Sequence, residues 1–191
     1  MARGGSFAVA DSGARVVAVC HSGEHAFSKP IAARIELVAG LGVKDDAHAG
    51  ELVQHRSRVA IDPSQPNLRQ VHLIHAELFD ELAGKGFAVK PGDLGENMTT
   101  RGIDLLGLPA DTLLAIGPSA ILRVTGLRNP CAQIERFMPG LLAEVVYRQP
   151  DDTIVRMCGI MAVVEVGGPI APGDRIAAKL PLLPHRPLDR V

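Results

Sequence analysis

Cys131 closes the run Thr125-Gly126-Leu127-Arg128-Asn129-Pro130-Cys131, just past an apolar, β-branched stretch and just before a segment with helical spacing. A nearby cation and the mouth of a helix both favour a thiolate over a thiol. A thiolate serves as a nucleophile or as a ligand for a soft metal. Arg128 is equally suited to hold an anion such as phosphate. A small buried cysteine beside a surface arginine would be spelled the same way locally. Cys20 and Cys158 lie within apolar strands and read as core.

Three other segments are more polar than a bland fold requires: His25–Lys29, Asp45–Gly50 and Pro91–Thr100. The glycines of Pro91-Gly92-Asp93-Leu94-Gly95-Glu96-Asn97 let backbone N–H groups approach a ligand closely. Asn97 both donates and accepts, which suits the edge of a heterocycle such as a pterin. An ordinary capped turn is the plainer reading of the same loop. Asp45, Asp46 and His48 have donors for a divalent ion, although a solvated loop explains them as well. The histidines do not spell a zinc site. Gly23 separates His21 from His25, and His72 and His75 straddle a strand–helix junction. No Cys-x-x-Cys accompanies them.

The elements that must position these segments are short. Arg15–Cys20, Ile35–Val38, Val71–Ile74, Thr112–Ile116, Ala120–Thr125 and Asp174–Ala178 read as strands, with a hairpin turn at Gly117-Pro118-Ser119. Thr153–Val166 reads as a long β stretch bent near Gly159. His75–Ala83 switches to helical period, with Leu78 and Leu82 on one face and Gly84 as its stop. Ala132–Phe137 and Leu141–Tyr147 read as short helices split at Pro139-Gly140. Many short strands and few helices predict a β-barrel.

The 191 residues suit one domain, and 47% hydrophobic composition with five Phe, one Tyr and no Trp demands an aliphatic core. The expected division is a lead-in over 1–14, the domain over 15–179, and a Pro-rich extended tail over 180–191. A net charge of −1 supplies no field for nucleic acid. No apolar run approaches the ~20 residues of a membrane span. Met1–Gly13 lacks the long apolar core of a secretory signal. Three widely spaced cysteines do not make a disulfide framework, and point to a reducing cytoplasm. Three thiols also fall short of an ordinary iron–sulfur cluster, and no G-x-G-x-x-G follows a strand.

Taken in order, Asp46–Gly50, Gln70-Val71-His72-Leu73-Ile74, Pro91–Thr100 and Thr125–Cys131 resemble the MOSC domain, the module related to the C-terminal part of molybdenum cofactor sulfurases. The resemblance covers roughly Val16 to Ala178 and is greatest to small stand-alone bacterial members. It implies a mostly antiparallel β-barrel with short flanking helices, and a cleft for the pterin form of the molybdenum cofactor. It places the molybdenum-binding cysteine at Cys131. Arg128, Asn129, Asn97 and Thr99 would hold the cofactor's polar groups, with Ser28 and Lys29 near its phosphate. His48 falls on the family's loop histidine and becomes the candidate proton donor. This chain departs from the usual Gly-Asp-Arg-His-Ala-Gly at two places, Asp45 and Ala47.

Similar members reduce N-hydroxylated compounds to amines, which implies an oxidoreductase with an N-hydroxylated small-molecule substrate. Lacking cluster and nucleotide motifs, the chain would take electrons from a separate flavin or iron–sulfur protein. The alternative is non-enzymatic: Cys131 carries sulfur as a persulfide, or the domain binds and passes on cofactor. Pyridoxal phosphate is not expected, since no Schiff-base lysine stands out. Exposed strand edges allow a homodimer without specifying one.

Overall fold

The computed structural model describes residues 13–54 and 59–191. All but the end of the expected lead-in, 1–14, lies outside them. Among the described residues there are thirteen strands: β1 Arg15–Cys20, β2 Ile31–Ala32, β3 Ile35–Val38, β4 Gly42–Val43, β5 Val71–His75, β6 Met98–Arg101, β7 Leu113–Ile116, β8 Ala120–Leu127, β9 Val146–Arg148, β10 Ile154–Arg156, β11 Ile160–Val166, β12 Gly168–Ile170 and β13 Ile176–Lys179. The named helices are α1 Ala76–Gly84, α2 Ala132–Phe137 and α3 Leu141–Val145.

The main sheet has eight strands in the order β13-β7-β8-β11-β5-β6-β1-β2, beside a three-stranded sheet β12-β3-β4 and the ribbon β9-β10. The protein is mainly β, as expected. Two features differ from a simple antiparallel barrel. First, β5 and β6 run parallel, with Leu73 opposite Met98. The 22 residues between them, including α1, provide the crossover that a parallel pair needs. Second, the eight strands form no continuous closed ladder: β1 meets the start of β13 at an isolated bridge, Arg15 with Arg175, where Val16 N–H donates to Asp174 O at 2.8 Å, Gly173 N–H to Val16 O at 2.9 Å and Ile176 N–H to Ala14 O at 3.0 Å.

Strand burial follows strand position. β8 alternates strictly, with Ala120, Leu122, Val124 and Gly126 inward. Central β5 and β11 are buried on both faces, as strands covered on two sides must be. The inner face carries one aliphatic core that includes Val19, Leu73, Met98, Leu122 and Ile160. A second core lies between the other face and the helices, built from Ile74, Leu78, Leu82, Leu94, Ile134, Leu141 and Val145. Leu94 anchors the Pro91–Thr100 loop in that core and Ile134 anchors α2, so one apolar cluster positions two of the segments singled out by sequence.

Two helix ends move from their expected places. Gly84 is the last residue of α1 rather than its stop. The left-handed residue is Gly86, at φ +91°, whose N–H caps Ala83 O at 3.0 Å. The segment expected to stay helical through Tyr147 leaves the helix after Val145. Val146 and Tyr147 instead pair with Arg156 and Val155, as β-branched and aromatic residues favour. The stretch over 153–166 does break near Gly159, between β10 and β11. The tail bends at 182–184, and its last residues lie along the end of β8, where Leu127 N–H donates to Asp189 O at 2.8 Å. No helix of the described residues is long and apolar enough to cross a membrane.

Candidate functional site

A buried aspartate organises the site. Asp46 Oδ2 accepts Lys29 Nζ at 2.7 Å, Asn97 Nδ2 at 2.9 Å and Ser22 N–H at 3.3 Å. Its Oδ1 accepts the His48 N–H at 2.9 Å and lies 3.2 Å from His48 Nδ1. Burial acts to raise its pKa, but the hydrogen bonds from His48 and the charge of Lys29 outweigh that and hold Asp46 well below the usual carboxylate range. Lys29 is pulled below the usual lysine range by burial, which Asp46 partly offsets. The carboxylate is the hub on which three sequence-distant segments converge.

Asn97 is the second weld. Its side chain also donates to Cys20 O at 3.2 Å and accepts the His72 N–H at 3.2 Å, tying β1 to the start of β5. Neighbouring Glu96 is fully buried. Its Oε1 accepts the Gly92 N–H at 2.7 Å and Thr99 Oγ1–H at 3.0 Å, while Oε2 has no partner. Burial raises its pKa, against the lowering effect of those bonds. The fold therefore holds the Glu96 proton more tightly than the unfolded chain does. Stability from this group is complete below the unfolded pKa of about 4.3 and is lost as pH rises through the higher folded value. Glu96→Gln keeps the shape and removes the charge, so thermal melts are expected to show a stabilisation that grows with pH.

The loop glycines serve the protein's own backbone. Gly92 sits at φ +88°, and a Cβ there would overlap the Lys29 carbonyl; Gly95, at φ +81°, faces the Phe27 carbonyl. The close approach expected toward a ligand is thus an approach to the 27–29 segment. Gly92→Ala is expected to cost about 2–4 kcal/mol in denaturant unfolding, from strained φ plus backbone overlap.

An open cleft of about 510 Å³, counting the space at its mouth, lies over this network. Lys29, His48, Arg69, His72, Asn97, Arg128 and Gln133 line it together with Phe27 and Leu94. Arg128 leaves β8 with its N–H on Gly159 O at 3.0 Å. Its Nη2 reaches Leu94 O at 3.5 Å, and its Nη1 is buried with no hydrogen-bond partner. A buried guanidinium N–H without an acceptor is costly unless a ligand supplies one. His72 is buried with Nε2 donating to Cys158 O at 2.8 Å. Burial first, then the Arg128 charge, pushes its pKa well down. Cys158 is itself buried, which raises its thiol to about 11 despite Arg128.

Cys131 stands at the N-cap of α2, as its spacing predicts. It is half-buried and free, and its Sγ donates to Oε1 of Gln133, a cleft residue, at 3.4 Å. Of the other residues singled out, Lys29, His48, Asn97 and Arg128 meet at the cleft. Ser28, Thr99, Asn129 and Cys131 itself are not among its lining residues. Ser28 Oγ donates to Asp93 O at 2.8 Å, Thr99 is wholly buried on Glu96, and Asn129 is exposed and accepts Arg156 Nε at 3.2 Å. Sequence reasoning missed Asp46 as the hub and Arg69 as a cleft cation. The first was visible only as one acid in a polar loop, and the second carried no signal. Among the described residues, no three His, Cys, Asp or Glu cluster as a metal-binding set.

A MOSC domain model matches residues 46–177 of the sequence. The chain belongs to the MOSC domain family. The match includes Asp46, Cys131 and the cleft residues from His48 to Met161, while Phe27 and Lys29 of the cleft precede it. In this MOSC domain Asp45 takes φ +61°, a left-handed conformation that accounts for glycine at this place in the family pattern and that aspartate tolerates better than most residues. The solved structures agree on the fold. YuaD protein from Bacillus subtilis is 23% identical with a TM-score of 0.71, covering 88% of this chain and 97% of its own. YiiM from Geobacillus stearothermophilus is 15% identical with a TM-score of 0.59, covering 87% and 75%. YiiM from Escherichia coli is 15% identical with a TM-score of 0.58, covering 88% and 71%. No curated relative matches the sequence.

Proposed function

We propose that this MOSC domain binds the pterin form of the molybdenum cofactor in the cleft and reduces N-hydroxylated compounds to amines in a reducing cytoplasm. The observation that carries the reading is Arg128 Nη1, buried and without an acceptor, three residues before the half-buried thiol of Cys131. The donor set fits the cofactor: Arg128, Arg69 and Lys29 line the cleft for anionic groups, and the soft sulfur for molybdenum lies beside it, on the lining residue Gln133. Cys131 would hold the metal. Arg128 would meet a phosphate or dithiolene-side anion, and Asn97 would stay committed to Asp46 and the backbone.

The cofactor supplies two-electron redox chemistry when bound; the chain's residues hold it, orient the substrate and move protons. R–NHOH, two electrons and two protons give R–NH2 and water. The electrons come from a separate flavin or iron–sulfur protein. The test is reconstitution with cofactor, an artificial reductant and a hydroxylamine substrate. Turnover to amine is expected; none with molybdenum demonstrably bound overturns the reading. Intact-mass analysis of protein isolated without reductant covers the alternative. A +32 Da adduct on Cys131, with no pterin retained, would make the domain a sulfur carrier.

A further inference from the structure

β8 ends one residue before Arg128, and its last residues lack the neighbour that guides the rest of it. β7 accompanies β8 only from Ala120 to Arg123. Asp111 and Thr112 then exchange backbone hydrogen bonds with Val124. Beyond Val124 this edge of β8 is taken over by the tail. Leu127 N–H donates to Asp189 O at 2.8 Å, Leu127 O accepts the Val191 N–H at 3.3 Å, and Leu127 bridges Arg190 in parallel. Earlier in the tail, Ala110 N–H donates to Arg186 O at 2.9 Å, the Arg186 side chain pairs with Asp111, and Leu188 packs on the inner core. Gly126 is the seat. A Cβ there would overlap the Asp189 carbonyl and stand 2.6 Å from Val191 Cγ1, while the backbone at 126 lies outside the left-handed region. The missing side chain therefore makes room for the tail and is not required by the strand's own conformation.

We propose that the segment Arg186–Val191 is a positioning strand for the cleft: by completing the edge of β8 at Leu127, it fixes the direction in which the chain delivers Arg128 and, three residues on, Cys131. Both backbone polar groups of Leu127 are committed to the tail, and without it they would have no partner in the sheet. The other edge is held by β11, with Leu127 opposite Ile160 and Arg128 N–H on Gly159 O at 3.0 Å. A strand end held on one edge frays, whereas one held on both does not. Arg128 is where this matters. Its Nη2 reaches Leu94 O and its Nη1 is buried without an acceptor, so a small swing of the strand end would carry the guanidinium away from the cleft. None of residues 186–191 lines the cleft; the tail acts only through β8. The positioning itself holds in the cofactor-free protein, and only its consequence for cofactor retention rests on the proposed reading.

The test compares the parent protein, a chain lacking residues 186–191, and Gly126→Ala, all free of cofactor. Amide hydrogen exchange by NMR reads the backbone. Iodoacetamide reads Cys131, since Cys20 and Cys158 are completely buried. Leu127 N–H reports whether the tail is seated. Arg128 N–H is bonded to Gly159 and not to the tail, so it reports whether loss of the tail is transmitted. Both variants are expected to speed Arg128 exchange about 10-fold or more and to change the Cys131 alkylation rate about 3-fold or more. Asn97 N–H, held by His72 O, should exchange at the parent rate. In the shortened chain Gly126→Ala should add nothing, because its collision partners are gone. A tail that only adds stability would leave Arg128 and Cys131 at parent rates well below the melt while Leu127 exchanges freely, and that result overturns the proposal. So does Gly126→Ala with Leu127 still protected, or with a further effect in the shortened chain. Should the shortened chain not fold, Gly126→Ala in the parent decides alone. After expression with ample molybdate, Gly126→Ala is expected to retain about 5-fold less molybdenum than the parent; equal loading of both would overturn the tail's role at the cleft. A parent protein that holds no molybdenum would instead retire the cofactor reading and leave the exchange result standing.

Discussion

Cys131→Ala is expected to lose bound molybdenum and at least 100-fold in turnover, while melting within about 1 kcal/mol of the parent protein. The two halves of that expectation have separate grounds. Cys131 belongs to neither apolar core, and its thiol makes a weak contact with Gln133. Replacing sulfur by a methyl therefore disturbs little packing. The chemistry is different, because no three His, Cys, Asp or Glu among the described residues cluster to replace it as a metal-binding set. Cys20 and Cys158 make natural controls. Both are completely buried, and burial raises their thiols to about 12 and about 11, so they are poor thiolates and poor ligands. Metal analysis of protein expressed with ample molybdate, beside thermal melts of the three alanine variants, separates the roles. Cys131→Ala should lose metal and keep its melt; Cys158→Ala should lose stability. Molybdenum retained in Cys131→Ala would overturn its role as ligand.

Asp46→Ala is expected to be the most damaging single change to stability, about 3–5 kcal/mol. Removing the carboxylate leaves the Lys29 ammonium, 4% exposed at its side chain, buried without its counter-charge. It also strips the acceptor from Asn97 Nδ2, Ser22 N–H and the His48 N–H. Since a domain of this size is stable by only about 5–15 kcal/mol, the variant should unfold at markedly lower denaturant. Lys29→Met combined with Asp46→Ala should be no worse than Asp46→Ala alone, because the orphaned charge is then gone. That non-additivity, about 2 kcal/mol, is the signature of the pair. Acid titration gives a further check. Because the fold holds Asp46 below the usual carboxylate range, the unfolded chain takes up its proton first as pH falls. The stabilisation is complete above about pH 4 and drains away below it. Asp46→Ala should flatten that acid limb. A cost under 1 kcal/mol, with the acid limb unchanged, would show that the hub is dispensable.

Local sequence determined a good deal of this protein. Alternating and β-branched runs located β1, β3, β5, β7, β8 and the bend at Gly159. The Leu78–Leu82 face located α1, and the spacing after Pro130 put Cys131 at a helix entrance. These are short-range matters, decided by side-chain period and backbone sterics within one segment. The motif order also placed the chain in its family. Tertiary structure decided what the segments do to one another. The parallel pairing of β5 with β6 depends on how the α1 crossover lies back on the sheet. Closure of the barrel expected from strand count depends on pairing between β1 and the start of β13, distant in sequence, and amounts here to one bridge and three backbone hydrogen bonds. Thr99 and Ser28 look like ligand residues in sequence, yet they spend their hydroxyls on Glu96 and on the Asp93 carbonyl. Asp46 looks like half of an acidic turn, yet it gathers Lys29, His48 and Asn97, the last of them 51 residues away from it along the chain. A buried charge is tolerated only where enough donors converge on it, and convergence is a property of the folded chain. So Cys131 and Arg128 were legible as chemistry from their neighbours in sequence, whereas the carboxylate that holds Lys29, His48 and Asn97 together became visible only once the three loops had met.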